Sequence, residues 1–201
     1  MARLSLSKSA LSRESRQLKT YERFLPSLDM KRRQLMAERA KVIKAVLDLE
    51  QAMAALHERV RTQLPMLANR EVLLERLVTL KQARLGRENV MGTRLPVFEG
   101  IEVAVRPYGD LAKPHWVDRV VAELTNMLEL AVRLRIERRR GELLEEAVRK
   151  VTQRVNLFEK VLIPRSRENI KRIRIYLSDA ERAAVVRSKI AKAKRTREGL
   201  A

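Results

Sequence analysis

Cysteine is absent from the 201 residues, which excludes disulfides, thiolate nucleophiles and cysteine-ligated metals. That absence fits a reducing compartment. Aromatic residues make up only 3% of the chain, so the large buried rings on which spherical cores depend are in short supply. Glycine and proline number six each, and long segments contain neither. No apolar run reaches the roughly 18 residues that a membrane-spanning helix needs. The N-terminus lacks the apolar stretch of a secretory signal. It is Arg- and Ser-rich, like a transit peptide, but its leucine spacing continues into the following segment, and it is read as mature structure.

What remains is Ala, Leu, Val, Arg, Lys and Glu, the composition of long amphipathic helices. Gly86, Gly92, Gly100 and Gly109, with Pro96, Pro107 and Pro114, concentrate the helix breakers between 86 and 114. The chain therefore divides into an N-terminal arm (1–85), a central insert (86–114) and a C-terminal arm (115–201). In the first arm Leu11, Leu18, Leu25, Val46, Met53 and Val60 fall on one heptad series. Tyr21, Leu28, Leu35, Val42, Leu49 and Leu56 fall on the other. Such a sustained pattern marks a coiled-coil seam. The second arm repeats it with Val120, Met127, Leu134, Gly141, Val148, Val155 and Leu162 against Leu130, Glu137, Leu144, Val151 and Phe158. An apolar stripe resumes beyond Pro164 at Ile170 and Ile173.

The fold class expected is mainly all-α: a long antiparallel two-helix coiled coil with a short insert. Arms of equal length, about 4–80 and 115–191, would put Leu11 opposite Ala184 and Leu49 opposite Glu146. The insert alternates around Gly100, with Leu95, Val97 and Phe98 before it and Ile101, Val103 and Val105 after it. That period of two indicates a short β-hairpin, and Pro107–Asp110 reads as a turn. Trp116 reads as an aromatic plug where the second arm starts. Pro26 and Pro164 each interrupt an arm, and each removes a helical hydrogen bond. In the expected register they stand at nearly the same height, which makes them a candidate shared bend. Arg32 and Arg39 break the seam nearby, facing Glu159 and Glu168.

Catalytic patterns are missing. The glycines are too widely spaced for a phosphate-binding loop. His57 and His115 form no metal-ligand spacing, and Glu145-Glu146 point in different directions on a helix. No metal, cofactor or catalytic residue is expected. The net charge of +19, from 44 Lys and Arg against 25 Asp and Glu, calls for an acidic partner. Aromatics interleaved with the basic residues, needed for single-strand stacking, are lacking. A basic coiled-coil nucleic-acid binder or scaffold is the alternative reading.

Thr152-Gln-Arg-Val-Asn-Leu-Phe-Glu159, Ile163-Pro164, Tyr176-Leu177 and Glu181-Arg182 resemble the C-terminal signature of the D subunit of V-type rotary ATPases. Lys189, Lys192 and Lys194 fit its basic tail. Val90–Phe98 resembles the family's central Gly-x-x-Leu-Pro segment, and Leu28–Leu35 its N-terminal basic element. Phe24-Leu-Pro26, Ser7-Lys-Ser9 and Asp179 depart from the family pattern, in keeping with a divergent bacterial branch. The resemblance implies a non-catalytic central-stalk axle without cofactor or stable nucleic acid, peripheral to the membrane on its cytoplasmic side. Its implied partners are the A and B subunits, the small F subunit of the stalk and the subunit that caps the membrane rotor ring. Arg154, Val155, Asn156, Glu159, Pro164, Glu181, Arg182, Lys189 and Lys192 become candidate rotor contacts. Gly92, Pro96, Phe98, Ile101 and Val103 become candidate docking residues of the insert.

Overall fold

The computed structural model describes residues 5–68, 76–107 and 116–198. Helix α1 covers Lys8–Gln63 and is followed by a short 3-10 turn, Pro65–Ala68. Strands β1 (Val78–Val90) and β2 (Thr93–Val105) come next. Helix α2 runs Trp116–Leu157, a π-helical turn Phe158–Leu162 follows, and α3 runs Ile163–Glu198. The mainly helical fold with a central two-stranded antiparallel hairpin matches the expected class. The turn at Pro107–Asp110 and His115 lie partly or wholly outside the described residues.

Two compact units are present: residues 31–150, and residues 1–30 together with 151–201. In the first, α1 and α2 pack antiparallel. Leu35, Val42, Leu49 and Leu56 are buried at strict heptad spacing, opposite Val120, Leu134 and Leu144. Each fully buried Leu contributes about 1.5–3 kcal/mol of apolar transfer free energy. Gly141 lies on the seam, where a Cβ would stand 3.6 Å from Val42 Cγ1. The other α1 series, Val46, Met53 and Val60, is only half-buried.

The register differs from the one expected. Glu145 pairs with Arg39 at 3.3 Å, and Glu50 with Arg138 at 2.7 Å, so Leu49 does not face Glu146. Arg39 thus finds its partner in Glu145, while Glu168 pairs with Arg172 on its own helix. The reason is the end of α1. The helix stops at Gln63 rather than near 80, and β1 begins before Gly86, so the arms are unequal.

The hairpin turn also lies elsewhere. Val90 pairs with Thr93 across Met91-Gly92. Both central residues have positive φ, 50° and 80°, the type I′ geometry whose twist suits a two-residue hairpin. Gly100 lies inside β2, next to a bulge at Glu99. The hairpin lies along the helices of its unit: Lys31 Nζ is 3.6 Å from where a Cβ on Gly92 would stand.

In the unit formed by residues 1–30 and 151–201, α1 again runs antiparallel to its partner helix. Ser7 caps α1, accepting the Ala10 N–H at 3.2 Å, which satisfies a donor that the first turn leaves open. Lys8 meets Glu181, Glu14 meets Asn169, and Glu22 meets Arg167. Leu11 is therefore not opposite Ala184. Tyr21 packs edge-to-face on Phe158, with ring centroids 5.3 Å apart. Val151, Val155, Ile163, Ser166, Ile170 and Ile173 form the buried stripe.

The π turn explains the spacing of that stripe. From Val155 to Ile163 is one residue more than a heptad, whereas Ile163 to Ile170 and Ser166 to Ile173 are true heptads. Ile163 N–H donates to Phe158 O, five residues back. The wider turn absorbs the extra residue and returns the apolar face to the seam. It ends two residues before Pro164, which brings no N–H to the ladder.

Candidate functional site

Long helices place side chains by angle around the axis, so each candidate residue is either in the seam or on a free face. Val155 is in the seam, 2% exposed. Arg154, Asn156, Glu159 and Pro164, its neighbours in the signature, are exposed. Leu157 and Val161 are also exposed on this stretch. The signature thus packs through Val155 and Ile163, with Phe158 against Tyr21, and leaves several residues open to solvent.

Beyond Ser178 every residue to Arg195 is exposed. Glu181 and Arg182 open this segment, and Lys189 and Lys192 lie within it. Lys8 reaches Glu181 at 3.7 Å. Between 165 and 198 there are 12 Lys and Arg against 4 Asp and Glu, interspersed with exposed Val185, Val186 and Ile190. Basic and apolar side chains so mixed can attract an acidic surface without one fixed geometry. An open groove of about 490 Å³ in the same unit is lined by Lys19, Arg167, Lys171 and Arg174 with Glu22.

The hairpin is held to α2 by the last of three consecutive arginines, Arg138-Arg139-Arg140. Arg140 is only 15% exposed in its side chain. Its Nη2 donates to Glu88 of β1 at 3.0 Å, and its Nη1 donates to the Pro96 carbonyl of β2 at 3.4 Å. Its Nε faces Glu137 at 3.6 Å, an ion pair too long for a hydrogen bond, which leaves that buried donor open. Leu95, 1% exposed, supplies the apolar anchor. Pro96, Phe98, Ile101 and Val103 are half-buried, whereas Gly92 is exposed at the tip. The only available signal for Arg140 was its position three residues from Glu137, inside a seam series.

Elsewhere on α2, Lys150 hydrogen-bonds Glu146 and attracts it electrostatically, holding that carboxyl below its ordinary range. This is an exposed helical pair, not a reactive centre. No cluster of three metal-ligating side chains occurs among the described residues. No helix among them is long and apolar enough to cross a membrane.

The profile of the family described as the D subunit of ATP synthase matches residues 10–193, nearly the whole chain. The chain belongs to the ATP synthase D-subunit family. It is similar to the D subunit of the V-type ATP synthase of Borreliella burgdorferi, at 35% identity over 194 residues, covering 96% of this chain and 95% of that protein. Its identity to the protein of the same name from Chlamydia felis is 31% over 198 residues, covering 96% and 94%. For Chlamydia pneumoniae it is 26% over 196 residues, covering 95% and 92%. The family is one of stalk subunits rather than catalytic ones, and the helical, hairpin-bearing fold agrees with it.

Proposed function

We propose that the chain is the central-stalk axle of a V-type ATPase or ATP synthase, carrying torque between ATP turnover in a hexamer of A and B subunits and ion translocation through a membrane rotor ring. The observation that carries this reading is the family match across residues 10–193. The helix pairs of both units support it, because a long apolar seam resists bending and twisting. Three like catalytic interfaces around an asymmetric rod each meet a different face of it. Differential contact free energy then favours a different conformation at each, and by linkage a change at any interface biases the rod.

In this reading the exposed helix from Asp179 to Arg195 meets the A and B subunits, with Arg182, Lys189 and Lys192 as basic contacts. Arg154, Asn156 and Glu159 supply further rotor contacts on the free face of the signature. The hairpin docks or regulates, together with the F subunit of the stalk and the ring-capping subunit. The complex works on the cytoplasmic side of the membrane. Pro26 and Pro164 give the rod an off-axis irregularity, a role supported by the π turn beside Pro164.

The test is truncation from Lys189 in the assembled complex. Stalk assembly should survive while ATP-driven ion transport falls relative to ATP hydrolysis. Unchanged coupling would refute a bearing role for this helix. Absence of A and B subunits from complexes purified through this chain would refute the axle itself.

A further inference from the structure

At the Gln63 end of α1, within the unit of residues 31–150, Leu56, Val60 and Leu64 face Val120, Leu124 and Met127 of α2 across an open groove of about 320 Å³. Its walls are almost wholly apolar, and Leu124 remains 37% exposed. One acidic side chain enters it, that of Glu123. Its Oε2 is buried and has no hydrogen-bond partner among the described residues. The nearby cation Arg119 is already committed to Gln63, and Arg61 to Glu58.

A carboxylate oxygen withdrawn from water among leucines and valines is costly unless a donor meets it. We propose that this groove is a docking site for a segment of another subunit that presents an Arg or Lys flanked by apolar side chains. The apolar flank would fill the groove, and the cation would pair with Glu123. Charge complementarity chooses this occupant. On a chain of net charge +19 most of the surface repels a basic segment, so a lone unpaired carboxylate between apolar walls is a selective address. His57 also lines the groove and is exposed. The proposal rests on the reading that the chain works inside a multisubunit complex.

The experiment places the photo-cross-linker p-benzoylphenylalanine at Leu124 in the assembled, purified complex. Irradiation should yield one adduct with a different subunit, at a peptide containing Arg or Lys beside apolar residues. The isosteric Glu123→Gln should lower its yield by about tenfold to a hundredfold at limiting partner concentration, the range for losing a charge-assisted hydrogen bond. Glu129→Gln, which alters another carboxylate on the same helix, should leave the yield unchanged. Glu123→Arg should abolish the adduct, and reversing the partner's cation to Glu should restore it. Circular dichroism separates these effects from loss of helix. An adduct only within the chain or only with a second copy, no adduct, or equal yields from the Glu123 and Glu123→Gln proteins would overturn the proposal. Failure of the wild-type chain to co-purify with other subunits would instead overturn the functional reading, and this docking with it.

Discussion

Replacing Arg140 by Ala should release the hairpin from α2 while leaving the helix seam of its unit intact. The guanidinium contacts β1 through Glu88 and β2 through the Pro96 carbonyl, and it neutralises Glu137 on its own helix. Hydrogen bonds to charged groups are worth about 1.5–3 kcal/mol each. Glu88 is half-exposed, so its pairing is screened and belongs near the lower limit. The bond to the Pro96 carbonyl is long, and Glu137 at 16% exposure loses its partner when Arg140 is removed. Together these place the cost of docking at about 2–3 kcal/mol. A two-stranded hairpin is marginal by itself in water, so most of that cost should appear as local opening. Amide hydrogen exchange is the assay. Exchange across residues 78–105 should accelerate by about thirtyfold to 150-fold, the equivalent of 2–3 kcal/mol, with the amides around Leu49 unchanged. Glu88→Gln should give a smaller effect, and the double substitution less than the sum of the two. Equal acceleration in helix and hairpin would mean that Arg140 supports the whole unit. No acceleration would mean that Leu95 and its neighbours hold the hairpin alone.

Leu35→Ala should cost about 2–5 kcal/mol in urea unfolding, because Leu35 is fully buried in the seam; Leu47→Ala, at a 52% exposed position, should stay within about 0.5 kcal/mol. Cysteines at 39 and 145 should cross-link readily through a short bifunctional reagent, whereas cysteines at 49 and 146 should not; the reverse would refute the register. Pro164→Ala should stabilise by well under the roughly 3 kcal/mol expected for removing an interior helical proline, because the extra residue between Val155 and Ile163 still requires a π turn. A full gain in thermal unfolding would show that proline alone causes the turn. Ser7→Ala should cost about 1 kcal/mol by removing the cap of α1, read as faster amide exchange in its first turn.

Periodicity in the sequence revealed the seam because heptad burial is a local, repeating signal. Leu35, Val42, Leu49, Leu56, Leu144 and Val151 all lie in the expected series. The point where α1 ends was not legible in the same way. Val60, Leu64 and Leu67 continue an apolar spacing past Gln63, and β1 carries polar or charged residues on most of its exposed positions, so it lacks the alternation of a half-buried strand. The hairpin's partner strand and turn were consequently missed: Met91-Gly92 is an uncommon type I′ pair, whereas Gly100 is a conspicuous breaker placed inside β2. Arg140 was hidden because three consecutive arginines look like a solvated face. Only the hairpin lying over α2 distinguishes the third from the first two. Glu123 carries no sequence signal, since its isolation depends on which neighbours already hold other partners.

The π turn at Phe158–Leu162 also bears on how this arm can change in length. A coiled seam normally penalises the gain or loss of one residue, because every side chain beyond it rotates away from its partner by about 100°. Here a single wide turn holds the surplus residue, and Ile163, Ile170 and Ile173 regain the buried face. A descendant lacking one residue between 156 and 162 could therefore return to ordinary α-helical winding with its downstream stripe still aligned. The arm contains a phase adjuster, and a one-residue length change there is compatible with an unchanged seam on either side.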